Sequence, residues 1–457
     1  MSFTRREFLK NCGRGGMGAA AMLTALSYAA RENAYAQGQD YRALVCIFLE
    51  GGNQGWNTVV PLDQAAYNTY ATSRGALALS QGSLLPITVP GAGNFGFHPS
   101  LPGIRTLWNQ GRVAVVCNTG NLIEPVTASQ VLQNPNRAPS GLFDHFQQQV
   151  FSQNLVNENT RGWGNSLGGF LPIFNTAPLI PTLMTMVNNT PYFKGPTATI
   201  TLQPGLQLGI TGLPQTGTPP VRFTAIQQLS AINELSLQVN AFNARVTKAM
   251  DDSRVVGNVF SGQQPFTTVF PNTGLGQQLR QIAIAIAARS ALGHDRRQVF
   301  YAQIGGNAFD THGAELTAQA SLLTQVDAAM SAFFAATMEL GVSNQVTTFT
   351  FSEFGRTLRS NGDGSDHGWG NHYLVMGGAV QGGRFYGTYP SPQVGLTDLD
   401  FPLFSVAGNF RGAFVPTVSM DQYGNTLARW LGLPDASADD VFPNLDRFPT
   451  RFLGFLG

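Results

Sequence analysis

The chain has 457 residues, and its 27 basic and 26 acidic side chains leave it close to neutral. That balance gives no reason to expect nucleic acid or an anionic membrane as partner. Charged residues make up only 12% of the chain against 52 Gly and 26 Pro, which excludes a coiled coil or a disordered chain and suits a large, loop-rich globular fold of the enzyme type.

The first element in chain order is an export leader. Thr4-Arg5-Arg6-Glu7-Phe8-Leu9-Lys10 reads as a twin-arginine signal, followed by an Ala/Gly-rich apolar stretch from Gly15 to about Ala30. That stretch is short for a membrane span. Ala34-Tyr35-Ala36 then offers an A-x-A cleavage site before Gln37. The three parts in this order predict a signal peptide over residues 1–36 and a mature chain over 37–457 with no membrane span. They also predict a periplasmic or extracellular destination, reached as folded cargo of the twin-arginine translocase. The leader holds five basic and two acidic residues, so the mature chain keeps 22 and 24.

Ala43-Leu-Val-Cys-Ile-Phe-Leu49 is a continuous apolar run closed by Gly51-Gly52, the pattern of a buried central strand in a parallel sheet. Val113-Ala-Val-Val-Cys117, Gln298–Ile304 and Gln345–Phe351 repeat it, and Tyr373-Leu-Val-Met376 is a weaker fifth. Helical spacing of apolar residues marks Thr224–Met250 (Ile226, Leu229, Ile232, Leu235, Val239, Phe242), Leu275–Ala291 and Glu315–Leu340. Strands alternating with helices predict an α/β fold with a mostly parallel central sheet and helices on both faces. Residues 120–220, rich in Asn, Pro, Gly and Thr, read as a loop-rich insertion in a single domain. Cys46 and Cys117 sit inside strand runs and read as buried free thiols. A disulfide stays open as the alternative, because the expected compartment is oxidising.

Function in such sheets gathers at the carboxyl ends of the strands. Three runs end in polar segments rich in ligand-type side chains: Glu50-Gly-Gly-Asn-Gln54-Gly-Trp-Asn57-Thr58, Asn307-Ala-Phe-Asp310-Thr-His312-Gly313, and Ser352-Glu353-Phe-Gly-Arg356-Thr357. Asp363-Gly-Ser-Asp366-His367-Gly-Trp-Gly-Asn371-His372 lies just beyond the last of them. Three of the six histidines fall in or just beyond these segments. Asp310-x-His312 would place two ligand-type groups on one side of an extended segment, and Asp366-His367 adds a second acid–imidazole pair on a Gly-rich loop. Imidazole with carboxylate suits zinc or a similar divalent metal. His98 and His294 read as structural.

At these residues the chain resembles the exported bacterial proteins of the domain of unknown function 1501 family, which is similar in fold to the alkaline phosphatase and sulfatase superfamily. The resemblance spans nearly the whole mature chain. It is carried by Phe48–Pro61, Leu142-Phe-Asp-His-Phe-Gln-Gln148, Gly162-Trp-Gly164, Phe309-Asp-Thr-His-Gly313, the long run Phe351–Asn371, and Asp421–Trp430. It implies an alkaline phosphatase-like fold, with two divalent metals bracketing a Ser or Thr nucleophile. One metal takes positions matched here by Asp310, His312 and His367. Glu353 matches an acidic ligand of the other.

The chain departs from that pattern in three places. Gln54 stands where the family usually has Asp, Asp144 stands before His145 where it usually has Ser, and Phe354 stands where phosphatases of the superfamily often have a metal-binding His. Asp144 reads as a replacement ligand, a carboxylate nucleophile or a filler of a dead site. Two dications need several nearby anions, so one retained ion is expected (zinc, manganese or calcium), held by residues drawn from Asp310, His312, Glu353, Asp366 and His367. Asn57 and Asp144 are the candidate catalytic residues, with Gln54, His145, Arg356 and His372 lining the pocket. Glu353 has an alternative reading as the ion-pair partner of Arg356, and His145 as a histidine on the helix surface or behind the ligands. The expectation is an exported, metal-dependent hydrolase of phosphate or sulfate esters, acting on a small-molecule or polymer substrate. The competing expectation is a non-catalytic binding or assembly protein that keeps the fold. A sulfatase proper is not supported, since no C-x-P-x-R motif is present.

Overall fold

Seven of the eight residues of the first strand, β1 (Arg42–Leu49), are buried, as expected where both faces of a strand are covered. The computed structural model describes residues 40–154, 161–175, 177–188, 190–204, 221–232, 236–260, 263–393 and 411–456. The expected export leader, residues 1–36, therefore lies outside the described residues.

The remaining strands, in chain order, are β2 (Val59–Pro61), β3 (Leu85–Val89), β4 (Gly93–Phe97), β5 (Val113–Gly120), β6 (Leu183–Thr185), β7 (Thr199–Thr201) and β8 (Arg297–Ile304). They continue with β9 (Val346–Phe351), β10 (Arg356–Ser360), β11 (Ser365–His367), β12 (Asn371–Gly377), β13 (Phe385–Tyr386) and β14 (Val418–Ser419). Nine of them form one sheet in the order β13-β5-β12-β9-β1-β8-β6-β7, with β14 also on β5. Every pairing in it is parallel except those of β12, which runs against both β9 and β5. The mostly parallel α/β sheet inferred from the apolar runs is the one observed. Residues 120–220 do more than loop outward, because β6 and β7 extend the sheet beyond β8. These strands have three residues each, too short to register as apolar runs.

Among the helices of the described residues are α1 (Gly55–Thr58), α2 (Gln64–Arg74), α3 (Pro102–Asn109), α4 (His145–Asn154), α5 (Trp163–Gly168), α6 (Val221–Ser230), α7 (Leu237–Phe260), α8 (Gly274–Ala287) and α9 (Glu315–Glu339). A further one, α10 (Met420–Leu431), comes directly after β14. Alternation along β1 splits the core in two. Val45, Ile47 and Leu49 join α3, α8 and α9 on one face, whereas Leu44, Cys46 and Phe48 join α5 and α10 on the other. Cys46 and Cys117 are free, buried thiols in different cores, so the sheet itself separates them.

The stretch Thr224–Met250, read as one helix, is two, α6 and α7. Its apolar residues Leu229, Ile232, Val239 and Phe242 are exposed, and Leu235 lies outside the described residues. Apolar periodicity specifies a helix but supplies no surface for it to pack on. Among the described residues, no helix is long and apolar enough to cross a membrane.

Candidate metal centre

Parallel neighbours β8, β1 and β9 are in register at their carboxyl ends. Leu49 faces Ile304 and Phe48 faces Phe351, so three exit loops leave the sheet at one level. The first is tied to the third through Ser352, whose Oγ accepts from the backbone N–H groups of Gly52 (3.1 Å) and Asn53 (3.2 Å). Two glycines make this turn possible. Gly51 and Gly52 have φ of 115° and 87°. A Cβ on Gly51 would lie 2.4 Å from the backbone nitrogen of Asp310, and one on Gly52 would lie 2.5 Å from the ring of Phe354.

The Asp310-Thr311-His312 segment is a turn rather than the extended piece expected, with Thr311 N–H on the Phe309 carbonyl (2.9 Å) and His312 N–H on that of Asp310 (3.0 Å). The antiparallel ribbon β10–β11 sets Arg356 opposite His367. Arg356 Nη1 donates to Asp310 Oδ1 (2.6 Å) and to the Gly51 carbonyl (3.1 Å). The ion pair of Arg356 is thus with Asp310 and not with Glu353, because the ribbon swings the guanidinium toward the β8 loop. Burial alone would raise the Asp310 carboxyl, but this guanidinium holds it below the usual carboxylate range.

Three imidazoles turn their Nε2 atoms to Asp310. Those of His312 and His367 lie 3.0 and 3.1 Å from Oδ1, and that of His145 lies 3.4 Å from Oδ2. His312 Nε2 and His367 Nε2 are themselves 3.0 Å apart. Four donors around one ion at about 2.0–2.2 Å would stand roughly 3.3–3.6 Å from one another, close to these separations.

Each ring's other nitrogen is committed elsewhere. His367 Nδ1 is 2.7 Å from the Phe143 carbonyl, His145 Nδ1 is 3.0 Å from Glu353 Oε1, and His312 Nδ1 is 3.3 Å from Asp366 Oδ1. A carbonyl can only accept, so the His367 proton belongs on Nδ1, and a cation at the centre would place those of His145 and His312 on Nδ1 as well, with all three Nε2 lone pairs facing inward. Two such lone pairs 3.0 Å apart repel unless a proton or a metal ion lies between them. Burial depresses the pKa of His367, which favours the neutral ligand form, while the hydrogen bond that His145 donates to Glu353 raises its own.

The structure therefore redistributes the expected roles. Glu353 and Asp366, expected as ligands, sit behind the imidazoles. Glu353 is fully buried and also accepts from Gly51 N–H (2.9 Å), Ser352 Oγ (2.9 Å) and Gln149 Nε2 (3.3 Å). Asp366 is held by Asn361 Nδ2 (2.9 Å) and Arg411.

Several expected pocket residues do not join the cluster. Asn57 is buried against Tyr70, Arg74 and the Leu77 carbonyl, with both ends of its amide satisfied. Gln54 caps α1 through Trp56 N–H (3.2 Å) and donates to Ser365 Oγ (3.1 Å) and the Thr357 carbonyl (3.3 Å). His372 is enclosed by Trp56 and Tyr389, accepts from Asn118 N–H (3.0 Å), and is pushed down to about 3 by burial. Asp144 is exposed and takes Gln147 N–H on Oδ1 (2.8 Å), which makes it the N-cap of α4.

His145 is the residue that sequence reasoning placed at the margin. As the first residue of α4, it is aimed by that cap. Gln149, one turn on, bridges Glu353 and Glu50 (3.2 Å) from the same helix face. The i, i+4 pairing of His145 with Gln149 was the available signal.

Around the cluster four carboxylates (Asp310, Glu353, Asp366, Glu50) meet two guanidiniums (Arg356, Arg411), a formal balance of −2. That suits one dication and is short of two.

These features define a class: an α/β protein with a mostly parallel sheet and a His/Asp cluster at its carboxyl edge that could hold a metal ion. The chain belongs to the family described as Protein of unknown function (DUF1501), whose model matches residues 41–401. No curated protein matches it in sequence. Among solved structures it is similar to the lipoteichoic acid synthase LtaP from Listeria monocytogenes, at 7% identity over 83% of this chain and 75% of that one, with a TM-score of 0.30. It is also similar to the PsFucS1 sulfatase from Pseudoalteromonas sp., at 9% identity over 79% and 67% of the two chains, with a TM-score of 0.31. Both likenesses are distant, and no role is carried from either protein to this one.

Proposed function

We propose that this chain is an exported, metal-dependent hydrolase of phosphate or sulfate esters built on an alkaline phosphatase-like fold and working with one divalent ion. The observation that carries the reading is the 3.0 Å approach of two inward-facing Nε2 lone pairs beside Asp310, which a bound cation would stabilise. Asp310, His312 and His367 would hold the ion, and the imidazole-rich donor set favours zinc. A divalent ion held there would supply Lewis-acid polarisation of an ester oxygen and acidify water.

The chain's own residues do the rest. Glu353, Asp366 and the Phe143 carbonyl keep the ring protons on Nδ1. Arg356 pins Asp310. His312, nearly half exposed, forms the open side by which a substrate would approach. No side-chain nucleophile is assigned, since Asp144 and Asn57 are engaged elsewhere.

The second reading, a non-catalytic binding or assembly protein, is favoured by one observation: Gln54 and Asp144, two of the departures from the family pattern, both serve as helix caps. Zinc-loaded protein assayed on an aryl phosphate and an aryl sulfate separates the two. Turnover that disappears with chelator and returns with zinc supports the hydrolase. No turnover at full metal occupancy leaves the binding role.

A further inference from the structure

Resting on the one-ion reading, we infer that His145 is a fourth protein ligand, supplied by α4, and that Glu353 is its positioning residue. Three features independent of the strand-end motifs point to it. Among the described residues the buried His145 Nε2 has no hydrogen-bond partner, although it stands 3.4 Å from Asp310 Oδ2, a spacing suited to two ligands of one ion. Donor atoms of His145, Asp310 and His367 all lie within 4.8 Å of one another. Phe354 fills the space beside them, its ring packed on His145 (4.9 Å between centroids) and on His367 (4.6 Å).

An aromatic side chain at that position cannot bind a metal but can hold two imidazoles at a fixed angle, and the rings of His145 and His367 meet edge-on at 76°. Glu353, freed from direct ligation, accepts from His145 Nδ1 and selects its tautomer. The centre would then hold its ion with three imidazoles and one carboxylate. Metal binding would then also clasp α4 to the β8 and β9 loops.

The test uses the full mature chain. Zinc affinity is measured by chelator competition for the wild type and for His145→Ala, His312→Ala and Glu353→Gln. Losing an outer hydrogen-bond partner of a ligand weakens metal binding about 10–100-fold. Glu353→Gln should fall in that range, and His145→Ala should lose at least as much as its upper end, as should His312→Ala. The wild type loaded with cadmium-113 and carrying nitrogen-15 histidine gives a direct count that needs no variant to fold. Metal coupling to Nε2 of three histidines, one of them His145, is the expected result. Coupling to His312 and His367 alone, or unchanged zinc affinity in His145→Ala, overturns the fourth ligand while the one-ion reading stands. Two tightly held equivalents overturn the single centre. A wild type that takes up no metal and shows no coupling overturns the underlying reading instead.

Discussion

Asp310 brings the one carboxylate to the group it forms with His145 and His367, lies 3.0 Å from His312 Nε2, and also anchors Arg356. Asp310→Asn should therefore do two kinds of damage. Zinc affinity should fall by more than the roughly 10–100-fold of an outer-partner loss, and the buried guanidinium should lose its charge partner. Elemental analysis beside a urea titration separates the two effects, and an Asn variant with normal zinc content would remove Asp310 from the centre. Gly52 gives a sharper steric test. Gly52→Ala meets both a positive φ and the Phe354 ring, and costs of about 1–3 kcal/mol attach to each kind of strain. Pairing it with Phe354→Ala should recover the steric part and leave the conformational part, which a double-mutant cycle would resolve.

At the scale of elements, the centre depends on where short helices begin. Asp144→Ala removes the cap of α4, worth typically about 1 kcal/mol. It should also weaken zinc binding, because His145 begins that helix. Zinc affinity unchanged in a folded Asp144→Ala variant would argue that α4 plays no part in the centre. On the far side of the turn, α2 and α9 are joined by the fully buried pair Arg74–Glu315, which Ser365 Oγ and Asn57 extend. Arg74→Met would strand a buried carboxylate and should destabilise the fold by about 3–5 kcal/mol. The loss should show as a lowered denaturation midpoint with the slope unchanged. This network explains why Asn57 and Gln54, which looked like site residues, are instead the frame under the site.

For the whole molecule, three buried imidazoles set the acid limit. Burial pushes His372 down to about 3 and His98 to about 4, and lowers His294 as well. Their native values lie below the unfolded value near 6.5, so the unfolded chain binds protons first as pH falls. Stability from these groups is fully present above about pH 6.5 and is lost progressively toward pH 4 and 3. Each pKa unit corresponds to about 1.4 kcal/mol, so several kcal/mol should disappear across that window. Burial lifts the Asp421 carboxyl to about 7, which acts in the opposite sense over the same window, so the test is a difference: denaturant midpoints should fall more from about pH 7.5 to 4.5 in the wild type than in His372→Gln, and equal declines would refute the account. The proposed export is tested at this scale too. If it holds, replacing Arg5 and Arg6 by Lys should leave folded, uncleaved protein in the cytoplasm, as cell fractionation would show.

The apolar runs alone sufficed for the five long strands, since a segment of six to eight buried residues can only be covered on both sides. The same runs placed Asp310, His312, Glu353 and His367 at strand exits, because parallel strands end on one edge. Periodicity could not say whether a helix finds a partner, which is why the exposed residues of α6 and α7 looked like core. Nor could motif spacing tell a ligand from the residue behind it. Glu353 and Asp366 have the right chemistry for a metal, but the direction of a side chain is a property of the folded turn. Only the tertiary structure turned His145 inward, through a helix cap more than 150 residues away from Asp310 in the chain. Ligand geometry is set by packing between distant segments, and local sequence carries no record of that distance.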